Sequence, residues 1–453
     1  VAEGMTDRLR RQALRREIVA LDKRRVWHPY TAMARYADAD PIVVERAEGS
    51  RLYDVDGRSY IDGNASWWTA LLGHGHPRLV AALRGQSERL CHAPLAGIAH
   101  EPAARLAEEL CAVAPAGLGR VFFSDDGSTA VEVALKLALQ YWRNQGADRR
   151  RFVALDGAFH GETLGVTALG GVEIFRRPFA GVLLECVHVP PPVRGGDAAQ
   201  YDRAFEAMAA LLRREGHEVA AVVVEPVLQG AAGMRDYDPA YLRELRSLCD
   251  ETGVLLVADE VFTGYGRTGP MWGCDHAGIA PDVLCTAKGF SGGVLPMAAT
   301  LATERIFAAF LGDDARTFHY GHTYCGNPLG AAVAREVLAI YRDERILERA
   351  RPKAGRVAEA FETRIARLPG VVATRSCGLT GAADLASGSG SGSGSGYLGR
   401  RGWRVYEHAL ERGAYLRPLG DTVYVAPALN ILDDDLDALL AILEESIVAA
   451  TPP

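Results

Sequence analysis

The sequence predicts an α/β fold: a large domain built on a mostly parallel sheet, joined by a smaller α+β domain. Three observations carry that expectation. Five short apolar runs alternate with helical patterns through the middle of the 453-residue chain, as a parallel sheet with crossover helices requires. The runs are continuously apolar rather than alternating, the pattern of strands buried on both faces. Each run also ends in polar or reactive residues, on the edge where open α/β sheets bind ligands.

The elements follow in order. The opening VAEGMTDRLRRQALRRE is polar and basic, reads as a loose first helix, and lacks the apolar core of a signal peptide. Its Val is read as an alternative start codon or a tag remnant, with Met5 as another start. PIVVERAEG and RLYDVDGRSYIDG read as short strands and turns, which assigns residues 1–75 to part of the small domain. The large domain is expected over 76–334, with strands at VFFSD (121–125), FVALDG (152–157), AVVVEP (221–226), GVLLVADE (253–260) and VLCTAK (283–288). Between the first two, apolar residues at 131, 134, 135, 138, 139 and 142 keep helical spacing. From 335 to 453 helices give way to strand-like VVATRS, a helix over RRGWRVYEHALERG, and strands at YLRPLG and TVYVAP. A Ser-Gly repeat at 387–396 interrupts this C-terminal small domain; it has nothing to bury and is expected to be a flexible loop without chemistry.

Composition narrows the function. A net charge of −7 offers no basic field for nucleic acid. Eight scattered cysteines without a CxxC pair read as reduced thiols rather than a metal site. No apolar run reaches the roughly 18 residues of a membrane helix, and the reduced thiols are those expected of a cytoplasmic protein. Of 50 basic residues only four are lysines: Lys23, Lys136, Lys288 and Lys353. Where arginine is the default cation, a retained lysine invites a chemical reason, because arginine does not deprotonate to an amine nucleophile. Lys23, Lys136 and Lys353 lie in ordinary charged surroundings; Lys288 ends an apolar strand.

Asp259 ends another such strand, so both groups are expected in one crevice. A carboxylate and an amine together suit pyridoxal 5′-phosphate, whose aldehyde needs a lysine and whose pyridine nitrogen needs an acid. Read alone, the pair is equally a buried lysine satisfied by a carboxylate. Gly127-Ser128-Thr129 opens a helix and offers amides and hydroxyls to a phosphate, although a plain N-cap is the simpler reading of that triplet by itself. Phe159 and His160 follow a strand and could place an aromatic ring over the pyridine. Trp67 and Trp68 read as core filler or as a substrate wall.

ADEVFTGYGRTG (258–269), TAKGFSGG (286–293) and GHTYCGNPLGAAVA (321–334) resemble the signature segments of class III (ω-type) aminotransferases, which use pyridoxal 5′-phosphate on fold-type I. WHPYTAM (27–33), DGNASWWTALLGHGHP (62–77), SDDGSTAVEVALKLALQYW (124–142) and YLRPLGDTVYVAP (415–427) narrow the resemblance. They are similar to the branch that converts 8-amino-7-oxononanoate to 7,8-diaminopelargonate in biotin synthesis. The resemblance runs from about residue 24 to the C-terminus outside the Ser-Gly tract. It implies that Lys288 binds the cofactor's aldehyde and moves the proton, and that Asp259 pairs with the pyridine nitrogen. Gly127 and Ser128 would take the phosphate, with Phe159, where the family often has Tyr, stacking on the ring. His160, Glu225 and His322 would stand near the cofactor, as would Gln229 and Arg267. Thr323 would reach the phosphate of a neighbouring subunit, implying a homodimer with shared active sites. Tyr30, Trp67, Trp68, Phe159 and Gly321 would line the substrate pocket, and Arg417 would bind the nonanoate carboxylate. The implied amino donor is S-adenosylmethionine, with lysine used in some members.

The rivals are another class III ω-amino acid or diamine transaminase, against which WWT and RPLGDT stand, and a pyridoxal-phosphate-binding regulator without catalysis. The latter lacks a DNA-binding extension or basic patch. A nicotinamide oxidoreductase is disfavoured by the missing glycine fingerprint.

Overall fold

In the computed structural model, residues 2–194, 198–386 and 396–451 are described. The large sheet has seven strands: β1 (Leu118–Ser124), β2 (Arg151–Leu155), β3 (Cys186–Val189), β4 (Val219–Val224), β5 (Leu255–Asp259), β6 (Val283–Thr286) and β7 (Ala298–Thr303). Their order is β1-β7-β6-β5-β4-β2-β3. Strands β2 to β6 pair in parallel, whereas β7 runs antiparallel to both β6 and β1. Every residue of β4 and β5 is buried, which is why these segments read as unbroken apolar runs.

Two strands of the large sheet went unread in the sequence. β7 is AATLAT and β3 only CVHV; neither stands out as the continuous apolar run that marked the others. Because β7 reverses direction between β6 and β1, the C-terminal ends of β1, β2, β4, β5 and β6 still share one edge. Gly127, Ser128, Phe159, His160, Glu225, Asp259 and Lys288 lie at or just beyond those ends.

Strands Val44–Glu48, Arg51–Asp54 and Ser59–Asp62 form a small sheet that Ala414–Tyr415 joins in parallel, Ala414 opposite Ile61. The N-terminal segment and the C-terminal region thus share a sheet. YLRPLG, expected as a strand, contributes only Tyr415 to one. A further antiparallel sheet holds Val371–Cys377, Thr380–Leu385 and Thr422–Val425. The helix Pro328–Asp343 runs unbroken across position 335. Ala2–Arg25 is helical. Among the described residues no helix is long and apolar enough to cross a membrane. Of the Ser-Gly tract, residues 387–395 lie outside the described residues.

Candidate active site

The site is built at the C-terminal edge of the large sheet. Asp259 is opposite Cys285 in the β5–β6 pairing, and Lys288 follows three residues later. Both reach one cavity of about 420 Å³, lined also by Gly127, Ser128, Phe159, His160 and Glu225. A narrower chamber of about 130 Å³ shares Trp68, Phe159, Ala231 and Lys288 with it and extends to Tyr30, Trp67 and Arg417. Lys288 therefore stands where the two spaces meet.

Lys288 has φ +47°, a left-handed conformation that turns the chain directly after β6 and is unfavourable for a side chain with a Cβ. Its Nζ lies 4.6 Å from the Trp68 ring centroid and 5.7 Å from that of Phe262. Burial lowers its pKa to about 8, against the raising effect of Asp259 and Glu225. The amine is thereby moved toward the neutral, nucleophilic form.

Asp259 is 3 % exposed. Its Oδ2 is 2.7 Å from Nδ1 of buried His160, and its Oδ1 accepts the Val261 N–H at 3.0 Å. His160, expected beside the cofactor, thus also holds the carboxylate in place. Glu225 accepts N–H bonds from Phe159 (3.1 Å) and Gly230 (2.8 Å), so it braces the loop that presents Phe159. Burial, the first cause, lifts its pKa to about 7.

Helix Gly127–Asn144 begins at the cavity wall, with Asp126 as its N-cap. Thr129 departs from expectation: its hydroxyl accepts the N–H of Asp126 and donates to the Asp126 carbonyl, closing a capping box. That engagement leaves Gly127 and Ser128 as the first-turn residues facing the cavity. A Cβ on Gly127 would stand 2.7 Å from Val261 Cγ1, so only glycine lets the helix start approach this closely. First-turn amides and the helix dipole favour an anion here. The donor set matches pyridoxal phosphate: a helix start for its anionic end, a fixed carboxylate for its ring nitrogen, an amine for its aldehyde.

The tryptophans divide their work. Trp68 is 5 % exposed, packs edge-on against Phe262 and donates its Nε1–H to Tyr424 Oη at 3.1 Å. Trp67 is 41 % exposed and faces the Tyr30 ring at 5.4 Å. Ala65, Ser66, Trp67 and Trp68 all have positive φ, from 44° to 71°, a left-handed turn without glycine that costs roughly 1–2 kcal/mol per residue. Tyr30 Oη donates to Glu162 Oε1 at 2.5 Å. Arg417 donates from Nη2 to the Tyr30 carbonyl at 3.1 Å, and its guanidinium carbon is 5.2 Å from the Trp67 ring. No carboxylate among the described residues forms an ion pair with it.

Several expected residues lie elsewhere. Gly321, His322 and Thr323 line a separate concavity of about 900 Å³ with His92, Phe122 and Tyr320, away from Lys288 of the same chain. His322 Nδ1 lies 2.9 Å from Asp125 Oδ2, behind the cavity wall. Arg267 is fully buried and donates to the carbonyls of Leu379 (3.3 Å) and Pro427 (2.9 Å), tying the C-terminal region to the large domain. Burial lowers its pKa to about 10. Gln229 is buried and reaches the Asp156 carbonyl at 3.3 Å. Sequence reading missed Phe175, Tyr397 and Tyr424, which complete the aromatic wall of the narrower chamber. Tyr397 packs edge-on to Phe175 at 4.9 Å directly after the Ser-Gly tract, a position that composition marks as inert.

Comparison with known proteins shows the family. The family model for class III aminotransferases matches residues 32–447. The adenosylmethionine-8-amino-7-oxononanoate aminotransferase of Nitratidesulfovibrio vulgaris is 42 % identical over 443 residues, covering 95 % of this chain and 82 % of the relative. The crystal structure of the enzyme of that name from Methanocaldococcus jannaschii superposes with a TM-score of 0.91 at 34 % identity, covering 96 % of this chain and all of that one. An amine transaminase from an uncultivated Pseudomonas species, in its PLP-bound form, gives 0.87 at 31 % identity, covering 94 % and 99 %. The buried amine, the braced carboxylate and the helix start thus belong to a chain that is a member of the class III aminotransferases.

Proposed function

We propose that this chain uses pyridoxal 5′-phosphate to aminate 8-amino-7-oxononanoate to 7,8-diaminononanoate in biotin synthesis, with S-adenosylmethionine as amino donor and lysine as the alternative. The observation that carries this reading is the narrow chamber, which is lined by both Lys288 and Arg417 together with aromatic rings. A long aliphatic acid fits such a space, its carboxylate on the guanidinium and its reacting carbon at the amine.

The cofactor, when bound, supplies the electron sink for breaking a bond at the amine-bearing carbon. The protein does the rest. Asp259, held by His160, keeps a proton on the ring nitrogen. Gly127 and Ser128 take the phosphate at the helix start, Phe159 covers the ring, and Glu225 braces Phe159. Lys288 Nζ removes the proton from the substrate carbon and returns it on the other side of the exchange, which a lowered pKa suits. Trp67, Trp68 and Tyr30 exclude water along the substrate chain.

In this reading Gly321, His322 and Thr323 serve across a homodimer, Thr323 reaching the phosphate held by the other subunit. That accounts for their distance from Lys288 of their own chain. The working location is the cytoplasm, and the domains divide as residues 1–75 with 335–453 around a core of 76–334.

The test is product formation by holoenzyme from 8-amino-7-oxononanoate with each donor in turn. Formation of 7,8-diaminononanoate with S-adenosylmethionine is expected. Failure with both donors, alongside turnover of simple ω-amines, would replace the reading with a general ω-transaminase.

A further inference from the structure

Asn64 lines the narrower chamber and is 2 % exposed. Its Oδ1 accepts the backbone N–H of Arg417 at 2.7 Å, across 353 residues of sequence. Its Nδ2 faces the Tyr424 carbonyl at 3.5 Å. Its own carbonyl accepts the Trp68 N–H at 2.8 Å. One residue therefore joins the turn bearing both tryptophans to the segment bearing the guanidinium.

The turn itself is over-determined from its other side. Asp62, 1 % exposed, accepts the Ser66 hydroxyl at 2.7 Å and lies 2.9 Å from His74 Nε2. Thr69 Oγ1 donates to the Ser66 carbonyl at 2.9 Å. A left-handed run without glycine persists only where such contacts hold it. Arg417 and the Trp67 wall thus form one unit whose internal spacing depends on the Asn64 acceptor.

We propose that Asn64 is a positioning residue for carboxylate recognition: its Oδ1 sets the Arg417 guanidinium against the Trp67–Trp68 turn, and so selects substrates that carry a carboxylate. The proposal rests on Arg417 as the carboxylate site. A guanidinium recognises a carboxylate through paired, directional bonds, and a misplacement of about 1 Å costs on the order of 100-fold. Truncating Asn64 should therefore cost selectivity more than chemistry.

The experiment uses holoenzyme of wild type, Asn64→Ala, Arg417→Ala and the double variant. Each is given 7,8-diaminononanoate or the same diamine without its carboxylate, and the single-turnover loss of visible cofactor absorbance is followed. Asn64→Ala should raise the half-saturating concentration of the acid roughly 10- to 100-fold, and that of the carboxylate-free diamine less than about threefold. The limiting rate should hold for both. On the acid, the double variant should be no worse than Arg417→Ala alone, as expected of residues acting through one group. Equal losses on both diamines, or losses that multiply in the double variant, would overturn the proposal and leave Asn64 a structural residue. If Arg417→Ala keeps the wild-type preference for the acid, the carboxylate assignment falls and the proposal with it. Should Asn64→Ala not fold, Asn64→Asp keeps an acceptor at this position and should retain the preference for the acid. Losing it as fully as Arg417→Ala would refute the role of the acceptor.

Discussion

The lowered pKa of Lys288 has a direct kinetic consequence. A lysine at its ordinary value of 10.5 is neutral in only about 0.03 % of molecules at pH 7, whereas one at about 8 is neutral in about 9 %. Burial thus raises the nucleophilic fraction roughly 300-fold at neutral pH. The sign follows from the charge: burial penalises the ammonium, so the neutral amine dominates above about pH 8 and is lost as pH falls below it. Asp259 and Glu225 oppose the shift, which keeps it from going further. The perturbation is pH, stepped from 6.5 to 10 on protein stripped of cofactor. The assay is the rate at which that protein takes up pyridoxal phosphate, read by stopped-flow absorbance. The rate should climb about tenfold per pH unit below 8 and level off above it. A rise that continues unbroken to pH 10 would show an ordinary, solvated lysine and refute the electrostatic reasoning.

Other expectations follow from the same geometry. Lys288→Ala should abolish turnover while leaving pyridoxal phosphate bound without a covalent link, separable by denaturation and visible in the spectrum. Near-normal turnover would place the chemistry elsewhere. Arg417→Ala should weaken the nonanoate half-reaction about 10- to 150-fold, the loss of a charge-assisted contact, and the donor half-reaction less. Equal losses would make Arg417 structural. Asp259→Asn keeps the shape beside His160 but removes the charge, and should slow the proton-transfer step by about 100-fold or more. A variant within about threefold of wild type would take Asp259 out of the mechanism.

Much of the site was legible because strand ends are legible. Continuous apolar runs located β4, β5 and β6, and their buried geometry carries Glu225, Asp259 and Lys288 to one edge. The scarcity of lysine singled out Lys288 before any fold was known. The His160–Asp259 contact was not readable, since the two are 99 residues apart and meet only through strand order. The left-handed turn at Ala65–Trp68 carries no glycine to signal positive φ, so neither it nor the role of Asn64 could be read locally. Tyr397 was hidden for another reason: a side chain that packs on Phe175 across the chamber has no periodicity of its own. Strand β7 escaped because its apolar residues are mostly alanine and are interrupted by threonine, so it does not stand out as an unbroken apolar run.

The amines that the holoenzyme exchanges with its cofactor define its function. The direct measurement follows the visible absorbance of purified holoenzyme as S-adenosylmethionine, lysine and 7,8-diaminononanoate are added separately. Bleaching by 7,8-diaminononanoate and by S-adenosylmethionine is the predicted result. Bleaching by unrelated ω-amines alone would contradict the biotin assignment.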